Sequence, residues 1–219
     1  MFKRLIFALA AIALTSALHS AQAQADEKKF EVGGQFTILR PPTHTVNGLT
    51  LSEDRANDPG FGGRFGYNFS KYVALEAEVN FFPLDRDLEG GRKTQGLFGV
   101  KAGKRFDRFG VFGKARPGFV NFKRGDYVLV RGCVQVFPPP LGCYDPVSTT
   151  NFAFDVGGVV EVYPSKRTLV RFDASDLIIR FDRRNVAADG SVFAGFVAFP
   201  VPAETRHNLQ ATAGFGWRF

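Results

Sequence analysis

The chain lacks the features of a helical membrane protein. Outside the first 25 residues, no stretch of this 219-residue sequence reaches the roughly eighteen consecutive apolar residues that a transmembrane helix needs. Cysteine occurs twice, methionine and tryptophan once each, and helical heptads are almost absent. Glycine, by contrast, occurs 24 times, and aromatic residues make up 14% of the chain. The missing apolar runs exclude a transmembrane helix beyond residue 25, and this composition indicates an all-β protein.

The amino terminus has the order of a secretory signal peptide. Lys3 and Arg4 precede an apolar run over residues 5–14, and small residues then give Ala-Gln-Ala motifs at 21–23 and 23–25. Ten apolar residues are too few to cross a bilayer as a helix, although an amino-terminal anchoring helix is the alternative. No cysteine follows directly, so a lipid-modified amino terminus is excluded. We expect a signal peptide over residues 1–25 and one domain over residues 26–219.

Basic residues outnumber acidic ones, 28 to 21, giving a formal net charge of +7. Nucleic-acid binding is not expected, because the charges are dispersed, the aromatic residues lie on a different face and the chain is exported. The bases are better suited to anionic lipid headgroups or to carboxylates inside a barrel.

The last strand has one apolar and one polar face, and their pattern indicates what each face contacts. From Asn208 to Phe219, apolar and polar residues alternate without a break. An edge strand ending in exposed aromatics suits a soluble protein poorly. In a membrane barrel the apolar side would face lipid and the polar side the lumen.

The mature sequence contains eight segments with the same alternation, each about long enough for a tilted membrane strand. Short and long connections alternate strictly between them, as in a meander with tight turns at one end and larger loops at the other. The predicted strands are 29–40, 60–69, 72–82, 94–104, 109–122, 151–163, 168–181 and 208–219. The predicted long loops are near 41–59, 83–93, 123–150 and 182–205.

The polar faces distinguish a membrane barrel from a soluble one. A lipocalin-like barrel is the alternative, and it would bury the apolar residues and expose the charges. The apolar face is rich in bulky Phe and Val and carries no charge at membrane depth, whereas acids and bases balance on the other face. We therefore predict a lumenal charge network of Glu31, Arg64, Glu76, Glu78, Lys101, Lys114, Arg116, Asp155, Glu161, Arg171, Asp173 and Arg218. Eight strands leave an interior that such side chains fill, which disfavours general porin activity.

The sequence resembles the small eight-stranded outer-membrane β-barrel proteins, such as the OmpA transmembrane domain and OmpX. The resemblance covers about residues 26–219, without the peptidoglycan-binding domain of some relatives, so cell-wall tethering is not expected. Gly214, Phe215, Trp217 and Phe219 resemble the family's carboxyl-terminal assembly signal. The resemblance implies an antiparallel up-and-down transmembrane barrel in the outer membrane of a Gram-negative-type bacterium. It also implies that the barrel-assembly machinery recognises the last strand.

The third long loop carries both cysteines. Cys133 and Cys143 flank three prolines in an exported protein, and no histidine is near to form a metal site. We therefore predict a disulfide between them. The segments 127–137 and 191–199 within the long loops either extend the strands or form a surface for partners.

An enzyme is not expected, because few catalytic groups are present. Only His44 and His207 remain after signal removal, and no serine lies near His207 on its strand. We expect a monomer without cofactors that binds outer-membrane lipid and has a structural role in the envelope or contacts host or cell-surface ligands through its loops. A narrow small-solute channel is the alternative, and a lipid-modifying enzyme is the third possibility.

Overall fold

Eight antiparallel strands close into one barrel in the computed structural model, which confirms the predicted fold class. The structure describes residues 28–40, 45–46, 49–50, 57–85, 90–130, 132, 143–190 and 195–219. In chain order the strands are β1 (Phe30–Arg40), β2 (Thr45–Val46), β3 (Leu49–Thr50), β4 (Asp58–Asn68), β5 (Val73–Phe82), β6 (Lys93–Arg105), β7 (Phe109–Leu129), β8 (Tyr144–Val162), β9 (Thr168–Phe181), β10 (Arg184–Gly190), β11 (Gly195–Val201) and β12 (Glu204–Arg218).

The barrel is a meander closed by its two ends. Its strand order is β1-β12-β9-β8-β7-β6-β5-β4. The first and last barrel strands pair from Glu31 opposite Arg218 to Arg40 opposite Leu209. We call the side with the short connections, 69–72, 106–108 and 163–167, the turn end, and the opposite side the loop end. The start of β1 and the end of β12 both lie at the turn end.

The alternation of the sequence becomes the two faces of the wall, because successive side chains of a strand point to opposite sides. Most charged and amide side chains of the barrel strands are buried inside. Large apolar side chains cover the outside, among them Phe36, Phe61, Phe65, Phe98, Phe152, Phe172, Leu209 and Phe215, each 47–58% exposed. This orientation is the reverse of a soluble lipocalin-like barrel.

Two strands extend well beyond the others at the loop end. β7 has 21 residues and β8 has 19, and they remain paired as far as Leu129 opposite Tyr144. A bulge between Phe122 and Asp126 shifts their register where the extension begins. The segment 123–150 is therefore not one loop: residues 123–129 and 144–150 belong to the extended strands, which is the first of the two interpretations left open for this region.

Two small hairpins complete the loop end. β2 pairs with β3 within the predicted loop 41–59, and β10 pairs with β11 within 182–205. Among the described residues, no helix is long and apolar enough to cross a membrane. Residues 1–27 lie outside the described ranges, so the signal peptide and the domain boundary near residue 25 stay predictions.

Candidate functional site

The lumen is the first candidate site, because all the predicted charges point into it. Each of the twelve is at most 8% exposed. Eleven form direct ion pairs there, whereas Arg64 makes none with a described carboxylate. Arg105 on β6 joins them through Glu31, although the predicted strand stopped before it. We call these thirteen residues the ionic layer.

Arg171 is the centre of the ionic layer. It lies on β9 and donates two hydrogen bonds to the Glu76 carboxylate, one of them 3.0 Å from Nη2 to Oε2. Glu76 lies on β5, on the opposite side of the barrel, so this pair crosses the lumen. The Arg171 Nε also donates to Asp173, which accepts a 2.6 Å bond from Lys114. Arg171, Glu76 and Lys114 have no exposed side-chain surface.

Arg116 extends the ionic layer toward the loop end. Its Nε donates to Asp155 at 2.9 Å, and its Nη1 donates to Glu78 at 2.6 Å. Gly99 faces this side chain, since an added Cβ there would lie 2.6 Å from the Arg116 Cα and 3.0 Å from its Cγ. The missing side chain on β6 thus makes room for a long one on β7.

The turn end of the lumen is also closed by ion pairs. Lys101 donates to Glu161 at 2.5 Å, and Arg105 donates to Glu31 at 3.0 Å. The Tyr163 hydroxyl donates to Glu161 at 2.8 Å and accepts from the Arg105 Nε at 3.0 Å. Burying these charges is favourable only because each has partners of opposite sign or hydrogen bonds.

Above the ionic layer, amide side chains cross the lumen. Gln35 donates to Asn80 at 2.8 Å, and Asn80 donates to Gln95 at 2.7 Å. Gln95 on β6 then donates to Gln210 on β12 at 2.9 Å, across the full width of the barrel. Around this height of the barrel, seven of the eight strands contribute a residue with 0% exposure, three of them amides. We call this level the sealing layer: Thr37, Asn80, Gln95, Val120, Ala153, Leu177 and Gln210.

The loop end of the lumen is apolar, which the sequence reasoning missed. The Phe122 and Phe181 rings lie 5.3 Å apart inside the barrel. One signal was visible, since residues 177–179 near the end of β9 are apolar on both faces. The alternation of the other strands does not show that inner apolar residues cluster. We call this cluster the apolar plug: Leu39, Phe82, Leu97, Val120, Phe122, Ala153, Leu177, Ile179 and Phe181.

A buried ion pair outside the predicted strands lies beside the plug. Lys93 Nζ lies 2.5 Å from Asp58 Oδ2, and both side chains are at most 6% exposed. Both residues fall within predicted loops, because β4 begins two residues earlier and β6 one residue earlier than predicted. Neither residue was therefore recognised as lumenal.

Charged groups also line the loop-end mouth of the barrel. The Arg184 guanidinium lies 3.9 Å from the Phe181 ring centroid, and Arg206 lies 5.0 Å from the same ring. Both arginines pair with one carboxylate, Glu204, at 3.0 and 2.6 Å. Burial, with the neighbouring Arg206 as the second cause, lowers the pKa of Arg184 to about 10.

The β10–β11 hairpin is attached to the extension of β7. The Asn185 backbone N–H donates to Asp126 Oδ1, and its side-chain amide donates to the Tyr127 carbonyl, both at 2.8 Å. The same Asp126 oxygen accepts from the Tyr127 N–H at 2.8 Å. One carboxylate therefore organises both the extended strand and the hairpin that packs on it.

The remaining predicted groups are only partly described. Cys143 is buried and is not a free thiol, but Cys133 lies outside the described residues, so the disulfide stays a prediction. His44 lies outside them too. His207 Nδ1 lies 2.6 Å from Asp176 Oδ2 on the outer face, a pair that sequence reasoning missed. The described residues contain no cluster of acidic, histidine or cysteine side chains that could hold a metal ion.

The predicted assembly signal lies at the seam of the barrel. Phe215, Trp217 and Phe219 are 44–57% exposed on the outer face, and Gly214 lies on the inner face against Gln35. The Phe219 backbone exchanges two hydrogen bonds with Phe30, each 3.0 Å. The last residue is therefore part of the pairing that closes the barrel.

A family model described as the outer membrane protein beta-barrel domain matches residues 7–219. The N-terminal β-barrel domain of OprF from Pseudomonas aeruginosa has 9% identity and a TM-score of 0.50, covering 89% of this chain and 100% of that chain. Neisserial surface protein A has 10% identity and a TM-score of 0.49, covering 87% and 97%. OprH from P. aeruginosa has 12% identity and a TM-score of 0.49, covering 87% and 99%. A search of curated proteins found no match. The likeness to OprF shows a shared fold.

Proposed function

Because this chain belongs to the outer membrane protein beta-barrel domain family, we propose that it is a sealed structural barrel whose loop end contacts other molecules. The protein resides in the outer membrane of a Gram-negative bacterium, as its family does. In such barrels the short turns face the periplasm and the longer loops face outward. The ionic layer thus lies toward the periplasm, and the apolar plug lies under the external loops.

The sealing layer is the observation that carries this proposal. Its seven side chains have no surface accessible to solvent, and the Gln95–Gln210 bond spans the lumen at this level. The apolar plug continues the seal toward the loop end. Water has no hydrogen-bond partners among such apolar groups, so a hydrated ion would have to displace packed side chains to pass. These observations support a stabilising role for the lumen rather than conduction.

Reconstitution into planar bilayers tests the sealed barrel. We expect no steady single-channel conductance, because ions cannot pass the sealing layer without opening it. Lys114→Gln is the matched probe of the lumen, since it removes one positive charge below that layer. A steady wild-type conductance whose ion selectivity changes in Lys114→Gln would contradict the proposal and favour a narrow channel.

The loop end offers a preformed surface for contacts. The extensions of β7 and β8 project beyond the barrel, and the β10–β11 hairpin is held against them by Asp126. Fixing two hairpins to each other reduces the entropy lost when a partner binds. This arrangement supports loop-mediated contact with cells or matrix as the second part of the proposal.

Asp126→Ala is expected to release the β10–β11 hairpin. Losing a hydrogen bond to a charged acceptor costs about 1.5 kcal/mol, which raises the open population roughly tenfold. Limited proteolysis within 182–203 should accelerate accordingly, and binding to immobilised cells or matrix should weaken.

Asp145→Ala is the control, because Asp145 is exposed on the neighbouring extension of β8 and holds no hairpin. It should leave both measurements unchanged. If a protein with residues 185–200 replaced by a short turn binds as well as wild type, the loop-contact proposal is wrong. The sealed-barrel proposal would stand, since it depends on the conductance measurement alone.

A further inference from the structure

The exposed charge at the turn end is almost entirely positive. Among the described residues there, the one exposed acidic side chain is that of Asp107. None of the bases forms an ion pair with a described carboxylate, whereas the loop end carries both signs, with pairs such as Arg92–Asp85. We call these bases the turn-end collar: Lys28, Lys29, Lys71, Lys104, Arg108, Lys166 and Arg167.

The collar surrounds the barrel instead of forming one patch. Lys28 and Lys29 precede β1, and each of the three short turns contributes at least one further base. In the strand order these positions are spaced around the whole circumference. A single folded partner would contact one side, whereas the lipids that surround a membrane barrel contact all sides. The distribution therefore favours lipid.

The collar also lies at the level of an aromatic girdle. Phe30, Phe69, Phe109 and Phe219 are exposed on the outer face at the turn end. Lys71 Nζ lies 5.3 Å from the Tyr72 ring centroid, and Lys104 Nζ lies 5.2 Å from the Phe106 ring centroid. Exposed aromatics mark the headgroup level of outer-membrane barrels. The ammonium groups are thus placed where lipid phosphates lie.

We propose that the turn-end collar recruits anionic phospholipids of the periplasmic leaflet to the barrel. Their headgroups carry a net negative charge and accept hydrogen bonds from lysine and arginine. A zwitterionic headgroup has no net charge and would gain less. The collar thereby enriches anionic lipid around the protein and fixes its depth in the membrane.

Trp217 provides a direct probe of this lipid shell. It is the chain's one tryptophan and is exposed at the turn end. Its strand neighbours are Val32 on β1 and Thr168 on β9, directly beside the segments that carry Lys29 and Arg167. Its fluorescence therefore reports lipids in the leaflet at the turn end, near two parts of the collar.

The test compares quenching of Trp217 by bromine-labelled phosphatidylglycerol and bromine-labelled phosphatidylcholine in vesicles. In the wild-type protein we expect an apparent preference of about fivefold for the anionic lipid, the effect of roughly one basic contact per lipid. In Lys166→Gln/Arg167→Gln the preference should fall to about twofold or less. High salt should reduce it as well, because the contact is electrostatic.

Arg180→Gln is the control, since Arg180 is an exposed base at the other end of β9. It should retain the wild-type preference, and the heat-modifiable band shift should show that every variant is folded. Equal quenching by the two lipids in the wild-type protein would overturn the proposal. So would a preference that is unchanged in Lys166→Gln/Arg167→Gln. Co-sedimentation with purified peptidoglycan that needs these bases, without lipid preference, would assign the collar to the cell wall instead.

Discussion

Arg171→Met is expected to lower the free energy of unfolding by about 3–5 kcal/mol, because it removes the central cation of a buried ion-pair network. Glu76 would lose both hydrogen bonds that cross the lumen, and Asp173 would keep only Lys114. Water cannot solvate either carboxylate in place of the lost guanidinium, since the Glu76 and Asp173 side chains have no exposed surface. Chemical unfolding in vesicles, followed by Trp217 fluorescence, measures this loss.

Two further variants separate the ion pair from loss of packing. Arg171→Met/Glu76→Gln removes both charges, and we expect a coupling energy of about 1–3 kcal/mol relative to the single variants. Arg180→Met changes the same residue type on the same strand at an exposed position and should cost less than about 0.5 kcal/mol. If Arg171→Met is no worse than Arg180→Met, the lumenal ion pairs contribute nothing to stability.

Deleting Phe219 is expected to stop most of the protein from reaching its folded form in the outer membrane. The deletion removes two backbone hydrogen bonds to Phe30 and a stacked ring contact at 6.0 Å. Those contacts account for about 2–3 kcal/mol in the isolated protein. We expect a larger defect in cells, because the terminal phenylalanine is also proposed to be read by the assembly machinery. The fraction of heat-modifiable protein in outer-membrane preparations measures the defect.

Phe219→Ala distinguishes the two roles of the last residue. It keeps the backbone pairing, so refolding into vesicles should lose only about 1 kcal/mol. Assembly in cells should nevertheless fail nearly as severely as after deletion. Phe172→Ala is the matched control, since Phe172 is 53% exposed on the outer face against 57% for Phe219. Normal cellular assembly of Phe219→Ala would show that the residue is not an assembly signal.

The strand number and the two faces could be predicted because each strand reports them locally. A shift of one residue would turn Glu76, Arg171 and their neighbours into lipid, so a strand that crosses a membrane has one acceptable orientation. The strand boundaries were predicted less accurately than the strand number. β7 and β8 continue past residues 122 and 151 because they pair with each other outside the membrane, where alternation is no longer imposed by lipid.

The apolar plug, by contrast, could not be predicted from the pattern of any single strand. Leu39, Phe82 and Phe122 come from strands that are far apart in sequence, and nothing within each strand marks them as neighbours. They meet because the barrel brings their positions to one level. The Asp58–Lys93 pair has the same origin, since each residue by itself looks like a loop charge.

The sequence by itself determined the compartment, the eight-stranded class and the side of the wall on which each strand residue lies, because these depend on composition and on a period of two. Only the tertiary structure decided which charges meet across the lumen, where the interior changes from ionic to apolar, and that the β10–β11 hairpin packs against the extension of β7. Strand register and barrel closure fix those contacts, and both are properties of the whole sheet. The link from Glu76 to Arg171, 95 residues apart in the chain, exists only once the barrel is closed.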